Sequence, residues 1–170
     1  LQASDNSQTR ETAATMGKHI SRMENYVSSM SNLRRMEDTQ PDYKLIDLQP
    51  LVSSLYDSAK IVCTKNGKEL ILQNDIPILQ LSLDSAFISQ VCNNLISNAV
   101  RYARTLVTIS FALHDNGLLL SVSDDGNGFD KDSLQKAANP YFTGESNHSE
   151  HFGLGLYICK LLCEHHNGYL

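Results

Sequence analysis

The chain has 170 residues, 41% of them apolar and 19% charged, with a formal net charge of −5. That is enough for one domain with a real core plus an appendage, and too apolar for disorder over most of the length. The acidic balance argues against a mainly nucleic-acid-binding role, which needs clustered Lys and Arg, and no apolar run is long enough to cross a bilayer or to read as a signal peptide.

The expected piece is therefore soluble, with no nucleic-acid and no membrane contact of its own. Residues 1–8 are polar and expected to fray. From about Thr9 to Asp38, Met16, Ile20, Met23, Val27, Met30 and Leu33 recur in steps of four and three, the seam of a coiled coil or helical hairpin. A helix of that length is a rod of roughly 45 Å, which cannot hide such a stripe alone, so a partner helix is expected. Pro41, inside the polar stretch EDTQPDYK, marks a linker.

Asp47 is the expected N-cap of a helix over 48–64, with Pro50 tolerated in the first turn, and Asn66-Gly67-Lys68 then turns the chain. ELILQN (69–74) and ILQLSL (78–83) read as strands punctuated by Pro77. Asp84 caps a helix running to about Ala103, and 106–113 with 118–123 form a hairpin across His114-Asp115-Asn116-Gly117. A short helix near 132–137, an irregular stretch over 138–151, a last helix from GLGL to about His166, and a strand opening at NGYL complete the reading. Helices and antiparallel strands mix without strict alternation, so the fold class is α+β, one sheet with helices on one face.

The four cysteines form no C-x-x-C pair. Cys159 and Cys163, with His165 and His166 beyond, can be drawn as a metal site. Three of the four lie in apolar helical patterns, where free Cys acts as a small hydrophobe, and buried thiols in a reducing cytosol are the preferred reading.

Three stretches carry chemistry. In QVCNNLISNAVRYA (90–103), Val91, Leu95, Ala99 and Tyr102 make an apolar face, yet Asn93, Asn94 and Asn98 crowd the same turns although Asn is a mediocre helix former. Asn94, Asn98 and Arg101 stand at i, i+4 and i+7 on one edge. An Asn carbonyl is a hard-oxygen ligand suited to Mg²⁺, and Arg can meet a phosphate; a solvent-facing polar stripe is the other reading. Asp124-Asp125-Gly126-Asn127-Gly128 follows an apolar strand, so Asp124 can accept from an exocyclic amine while the glycines let backbone approach a ligand; a plain turn is the alternative. Gly153-Leu154-Gly155-Leu156 opens the last helix, where bare N–H groups and the positive dipole end suit an anion, or simply form a capped loop.

Taken in order and spacing, these three boxes resemble the ATP-binding domain of sensor histidine kinases, the Bergerat fold of the GHKL superfamily, over residues 45–170. Residues 1–40 resemble the second helix of those kinases' dimerization and histidine-phosphotransfer hairpin. The resemblance implies a two-layer α/β sandwich with a mixed sheet, preceded by one long helix, that binds ATP and Mg²⁺. It implies that Asn98 ligates Mg²⁺ and that Asn94 assists it or binds phosphate, the two acting as catalytic residues. Arg101 would contact phosphate, Tyr102 would lie against adenine, and Asp124 would bind the adenine amino group, with Gly126 and Gly128 giving the base room. Phe142 takes the place of the aromatic that precedes the family's ATP lid, and Gly153, Leu154, Gly155 and Leu156 form the phosphate-cradling box. The implied activity is transfer of the γ-phosphoryl group to a histidine on a separate segment, for relay to a response-regulator receiver domain. A homodimer through the 9–38 helix, in the cytoplasmic part of a membrane-anchored receptor, is implied as well.

Two departures stand out. His151 and Phe152 occupy the place of the family's small lead-in to the last glycine box. His19 lies on the second-helix pattern and lacks the family's phosphoacceptor context, so no phosphoacceptor is expected in this chain, which reads as a piece of a longer kinase cut before its final strands. Competing readings are a GHKL-type ATPase, a serine kinase, and a nucleotide-free dimerising scaffold. The ATPase relatives place a glutamate general base where Asn94 stands, and an amide has no useful basicity.

Overall fold

A computed structural model of the chain describes residues 39–115, 117–142 and 153–170, together with positions 12, 13, 15–17, 20, 23, 24, 27, 30, 31 and 34. The expectations for residues 1–8, His19, Leu33, Asn116, His151 and Phe152 lie outside the described residues. Every described position between 12 and 34 is helical (α1) and exposed. Met16, Ile20, Met23 and Val27 are each 58–68% exposed, so these four positions of the stripe along α1 are uncovered, while Met30 Sδ accepts from the Tyr141 hydroxyl at 2.9 Å.

The remaining elements are β1 (Lys44–Asp47), α2 (Leu48–Lys65), β2 (Glu69–Asn74), β3 (Gln80–Leu83), α3 (Ser85–Tyr102), β4 (Leu106–His114), β5 (Gly117–Asp124), α4 (Lys131–Lys136) and α5 (Gly155–His165). In α2 the buried residues Leu48, Leu51, Val52, Leu55, Ala59 and Cys63 fall at helical spacing and form its core face. Asp47 stands at the N-cap without capping: its carboxylate accepts from Gln80 Nε2 at 2.6 Å instead. At the other end Gly67, at φ +67°, lets Lys68 N–H reach Cys63 O and its own N–H reach Thr64 O, the paired bonds that close a helix in the left-handed conformation. Asn167 and Gly168 repeat this device after α5 (Gly168 N to Cys163 O, 2.7 Å). The NGYL stretch is thus a helix stop and not the start of a strand, and Gly168–Leu170 carry no regular structure.

The strands divide into two sheets where one was expected. β1 and β3 pair antiparallel, while β2-β4-β5 form a mixed sheet, parallel between β2 and β4 and antiparallel between β4 and β5. Alternation along β4 turns Val107, Ile109 and Phe111 inward, each with no exposed surface. Leu72 and Val122 flank Ile109 in register. Against this face pack α2 and α3 in the main core, and a second cluster joins Phe87 and Val91 of α3 to Leu154, Ile158, Cys159 and Leu162. Leu120 touches both clusters, so sheet and helices form two continuous layers. No helix among the described residues is long and apolar enough to cross a membrane.

Candidate functional site

The site is organised by α3. Asp84 fixes its start: Oδ1 accepts from Ala86 N at 2.8 Å and Phe87 N at 3.1 Å, and Oδ2 accepts from Asp42 N at 2.9 Å. Burial alone would raise this carboxyl, but those three N–H donors and the nearby His166 hold it below its ordinary value. Beyond the cap, α3 and α5 lie side by side in opposite directions. Asn98 meets Gly155, and Asn94, one turn earlier in α3, stands beside Cys159, one turn later in α5. The Cys159 thiol donates to Val91 O at 3.7 Å. Burial pushes this thiol up to about 12, and Cys92 up to about 11, so both behave as packing groups.

A Cβ on Gly155 would lie 3.7 and 3.8 Å from the Asn98 amide atoms, an ordinary contact that sets the first turn of α5 directly beside that side chain. Leu154, at the N-cap, offers no side-chain acceptor to the first-turn N–H groups. Those amides therefore lack a side-chain cap at the positive end of the dipole, which lies beside Asn98. Leu154 itself is 4% exposed and packed in the second cluster, so its side chain serves the core rather than a ligand, whereas Leu156 is half-buried.

The second box reaches the other end of α3. A Cβ on Gly126 would lie 2.4 Å from Tyr102 O and 2.6 Å from Asp124 Oδ1, so only glycine fits between the helix end and the loop. Asp124 Oδ1 accepts from Gly126 N at 2.8 Å, and Gly128 takes φ +70°. Tyr102 is 44% exposed and so is not a core aromatic; the Arg101 guanidinium sits 5.6 Å from its ring centroid. Gly153, at φ +63°, lies so close to Phe142 that a Cβ would stand 2.3 Å from Phe142 O. The structure thus brings together Asn98 with Gly155, Tyr102 with Asp124 and Gly126, and Phe142 with Gly153. Nothing lies within 4 Å of a Cβ built on Gly128.

Two buried side-chain nitrogens among the described residues lack a hydrogen-bond partner, Asn94 Nδ2 and Arg101 Nε. Both stand on the same edge of α3 as Asn98. Buried donors are ordinarily paired, and leaving one unpaired costs about 1–3 kcal/mol. An anion with several acceptor oxygens, such as a phosphate chain, satisfies both.

Sequence reasoning passed over Asp125. Its carboxylate accepts from Arg104 N (2.7 Å), Thr105 N (3.0 Å) and the Thr105 hydroxyl (2.7 Å). The Thr105 hydroxyl first, then the neighbouring backbone N–H groups, hold this carboxyl well below the usual range. A second Asp inside the glycine box was the available signal; its partners lie some twenty residues away and were not legible.

The family profile described as histidine kinase-, DNA gyrase B-, and HSP90-like ATPase matches residues 83–170. The sensor protein kinase PilS of Pseudomonas aeruginosa is 31% identical over 150 residues, covering 84% of this chain and 27% of its own. The sensor histidine kinase YvrG of Bacillus subtilis is 27% identical over 168 residues, covering 93% of this chain and 29% of its own. This chain spans about a quarter of the length of such curated relatives. Among solved structures, the catalytic domain of histidine kinase ThkA is similar with a TM-score of 0.63 at 23% identity, over 74% of this chain and 82% of that one. Full-length ShkA in complex with AMPPNP is similar with a TM-score of 0.64 at 20% identity, over 75% of this chain and 27% of that one. At these identities the structural likeness speaks to the fold.

Proposed function

This chain belongs to the histidine kinase-, DNA gyrase B-, and HSP90-like ATPase family, as an ATP-binding catalytic domain of the sensor histidine kinase type, and from that premise we propose how its residues hold Mg-ATP. The observation that carries the reading is the pair of unpartnered buried donors, Asn94 Nδ2 and Arg101 Nε, on the edge of α3 that meets the first turn of α5. The phosphates are bound there, by Arg101, by Asn94 and by the N–H groups of the Gly153–Leu156 box. The adenine lies at the other end, its amino group donating to Asp124 and its ring against Tyr102, with Gly126 keeping the floor clear.

Asn98 supplies the neutral amide oxygen that suits Mg²⁺, which when bound neutralises charge on the β- and γ-phosphates. In the reaction we propose, a histidine nitrogen from a separate segment attacks the γ-phosphorus. The bond from that phosphorus to the bridging oxygen breaks, ADP leaves, and the new N–P bond holds the phosphoryl group. The residues of this chain act by positioning and by charge stabilisation. With Asn in place of Glu at position 94, this edge holds no carboxylate to activate water, which favours kinase over ATPase.

In the longer protein the domain works in the cytoplasm, where ATP is, beneath a membrane-anchored receptor, and the phosphohistidine serves a response-regulator receiver domain. The exposed stripe on α1 supports a homodimer through the 9–38 helix; a strict monomer by light scattering at high concentration counts against that. The central test is a titration of the chain with an ATP analogue and Mg²⁺, followed by calorimetry and by thermal unfolding. Binding raises the unfolding temperature by mass action. The Asn98→Ala variant should lose the magnesium-dependent part of that rise. No rise at millimolar nucleotide refutes the reading, and an Asn98→Ala variant that keeps the magnesium dependence refutes the role given to that residue.

A further inference from the structure

Asp125 lies between two residues that the proposed site uses, yet its own carboxylate points elsewhere. It grips the three-residue passage from α3 into β4. Its oxygens accept from Arg104 N, Thr105 N and Thr105 Oγ1. The carbonyls of the same passage are held by another part of the chain: Lys68 Nζ donates to Ala103 O at 2.7 Å and to Arg104 O at 2.8 Å. A third tether, Arg104 Nη2 to Asn127 Oδ1 at 2.6 Å, joins the same passage to the loop. One short backbone segment is therefore held at its amides by an anion and at its carbonyls by a cation, each from a different element. Immediately before it stands Tyr102, whose carbonyl abuts Gly126.

The geometry points to Asp125 as a positioning residue for nucleotide binding, with Lys68 as its counterpart: together they fix the distance between the end of α3 and the loop that presents Asp124. This inference rests on the proposed role of Asp124 toward the base and deepens it. The mechanism is geometric. Asp124 and Gly126 flank Asp125 directly, so their height above Tyr102 is set by where Asp125 is anchored. A base seated between Tyr102 and Asp124 is sensitive to shifts of a fraction of an ångström, because a hydrogen bond weakens steeply outside its narrow distance range. The anchor makes no hydrogen bond to Asn94, Asn98 or the first turn of α5, and of the phosphate-binding group only Arg101 stands near it, two residues before the gripped passage. Its loss should therefore be felt more by the base than by the phosphates, a split that general destabilisation does not produce.

The test compares Mg-ATP with Mg-tripolyphosphate, which has the phosphates and no base, as ligands of the whole chain by calorimetry at 15 °C, below the unfolding transition of each variant. Asp125→Ala should weaken ATP by about tenfold or more and leave tripolyphosphate within about twofold. Asp125→Asn keeps an acceptor for one or two of the three donors, so it should fall between wild type and Asp125→Ala, and it carries the same comparison if the alanine variant does not fold. Lys68→Met should show the same base-selective loss in smaller measure. Equal ATP affinity in wild type and Asp125→Ala overturns the inference alone, as does an equal loss for both ligands. A wild-type chain that binds neither ligand removes this inference together with the reading beneath it.

Discussion

Replacing Gly126 by Ala adds one methyl group where the structure has no room for it. The new Cβ would stand 2.4 Å from Tyr102 O and 2.6 Å from Asp124 Oδ1, and contacts under 3.0 Å essentially never occur. The loop must retreat from the end of α3 by at least about 0.6 Å, and the Asp124 carboxylate must give way as well, straining its bond from Gly126 N, where it now accepts at 2.8 Å. Overpacking of this kind costs about 1–3 kcal/mol. A shift of that size also takes the Asp124 carboxylate out of hydrogen-bonding range of a base amine, and a bond to a charged group is worth about 1.5–3 kcal/mol. ATP affinity should therefore fall by about 10- to 100-fold, while the fold survives with a lowered unfolding temperature. Calorimetric titration with a non-hydrolysable ATP analogue and Mg²⁺, at a temperature where thermal unfolding shows the variant folded, measures both effects. A Gly126→Ala variant that binds the analogue like wild type and unfolds at the same temperature refutes the close approach of helix end and loop on which the base site depends.

Asp84→Ala removes two capping bonds at the start of α3 and one to Asp42 N, and should cost about 2 kcal/mol at neutral pH. Because the Asp84 carboxyl is held below its ordinary 3.8, its contribution is present above that value and lost as the pH falls through the folded-state value; urea unfolding at pH 7 and pH 3 should show the gap between variant and wild type closing in acid. The buried thiols act at the other limit. Cys92 and Cys159 are raised to about 11 and about 12 from an ordinary 9.0, so the unfolded chain ionises first and stability should decline as the pH rises above about 9, by up to about 1.4 kcal/mol per pH unit for each thiol. Thiol-reactive reagent at pH 8 should correspondingly modify these two cysteines only after unfolding, and rapid labelling of the native chain contradicts their burial.

What the sequence disclosed was periodic or local. The extent of α2, the N-cap and length of α3, and the hairpin of β4 and β5 follow from local spacing, cap and turn residues. The misreadings come from bonds that cross the chain. Asp47 has the right place and chemistry for an N-cap, but Gln80, on a strand paired with its own, takes the carboxylate. β1 is four residues long with three of them exposed, so no alternation announces it. Ile78 looks like the start of a strand and is 94% exposed, while the strand begins at Gln80. Asn167-Gly168 was read as opening a strand, but whether such a pair opens a strand or closes a helix depends on carbonyls already placed by α5. Within the site the three boxes were visible as motifs; their contacts, and the hold of Asp125 on Thr105, required the fold.

The antiparallel run of α3 and α5 gives the proposed site a polarity that matches its ligand end to end. α5 begins beside Asn98, so its first-turn amides and positive dipole end join the unpartnered nitrogens of Asn94 and Arg101, and donors predominate there. α3 ends at Tyr102, where a backbone carbonyl and the Asp124 carboxylate lie together, and acceptors predominate there. ATP carries acceptor oxygens at one end and an exocyclic amine donor at the other. In the reversed orientation the phosphates would meet a carboxylate and a helix C-terminus, both repulsive to anions, and the amine would face mainly N–H donors. In the proposed site, orientation is set by the directions of two helices before any single contact is counted, and point substitutions at either end should weaken the nucleotide without turning it around.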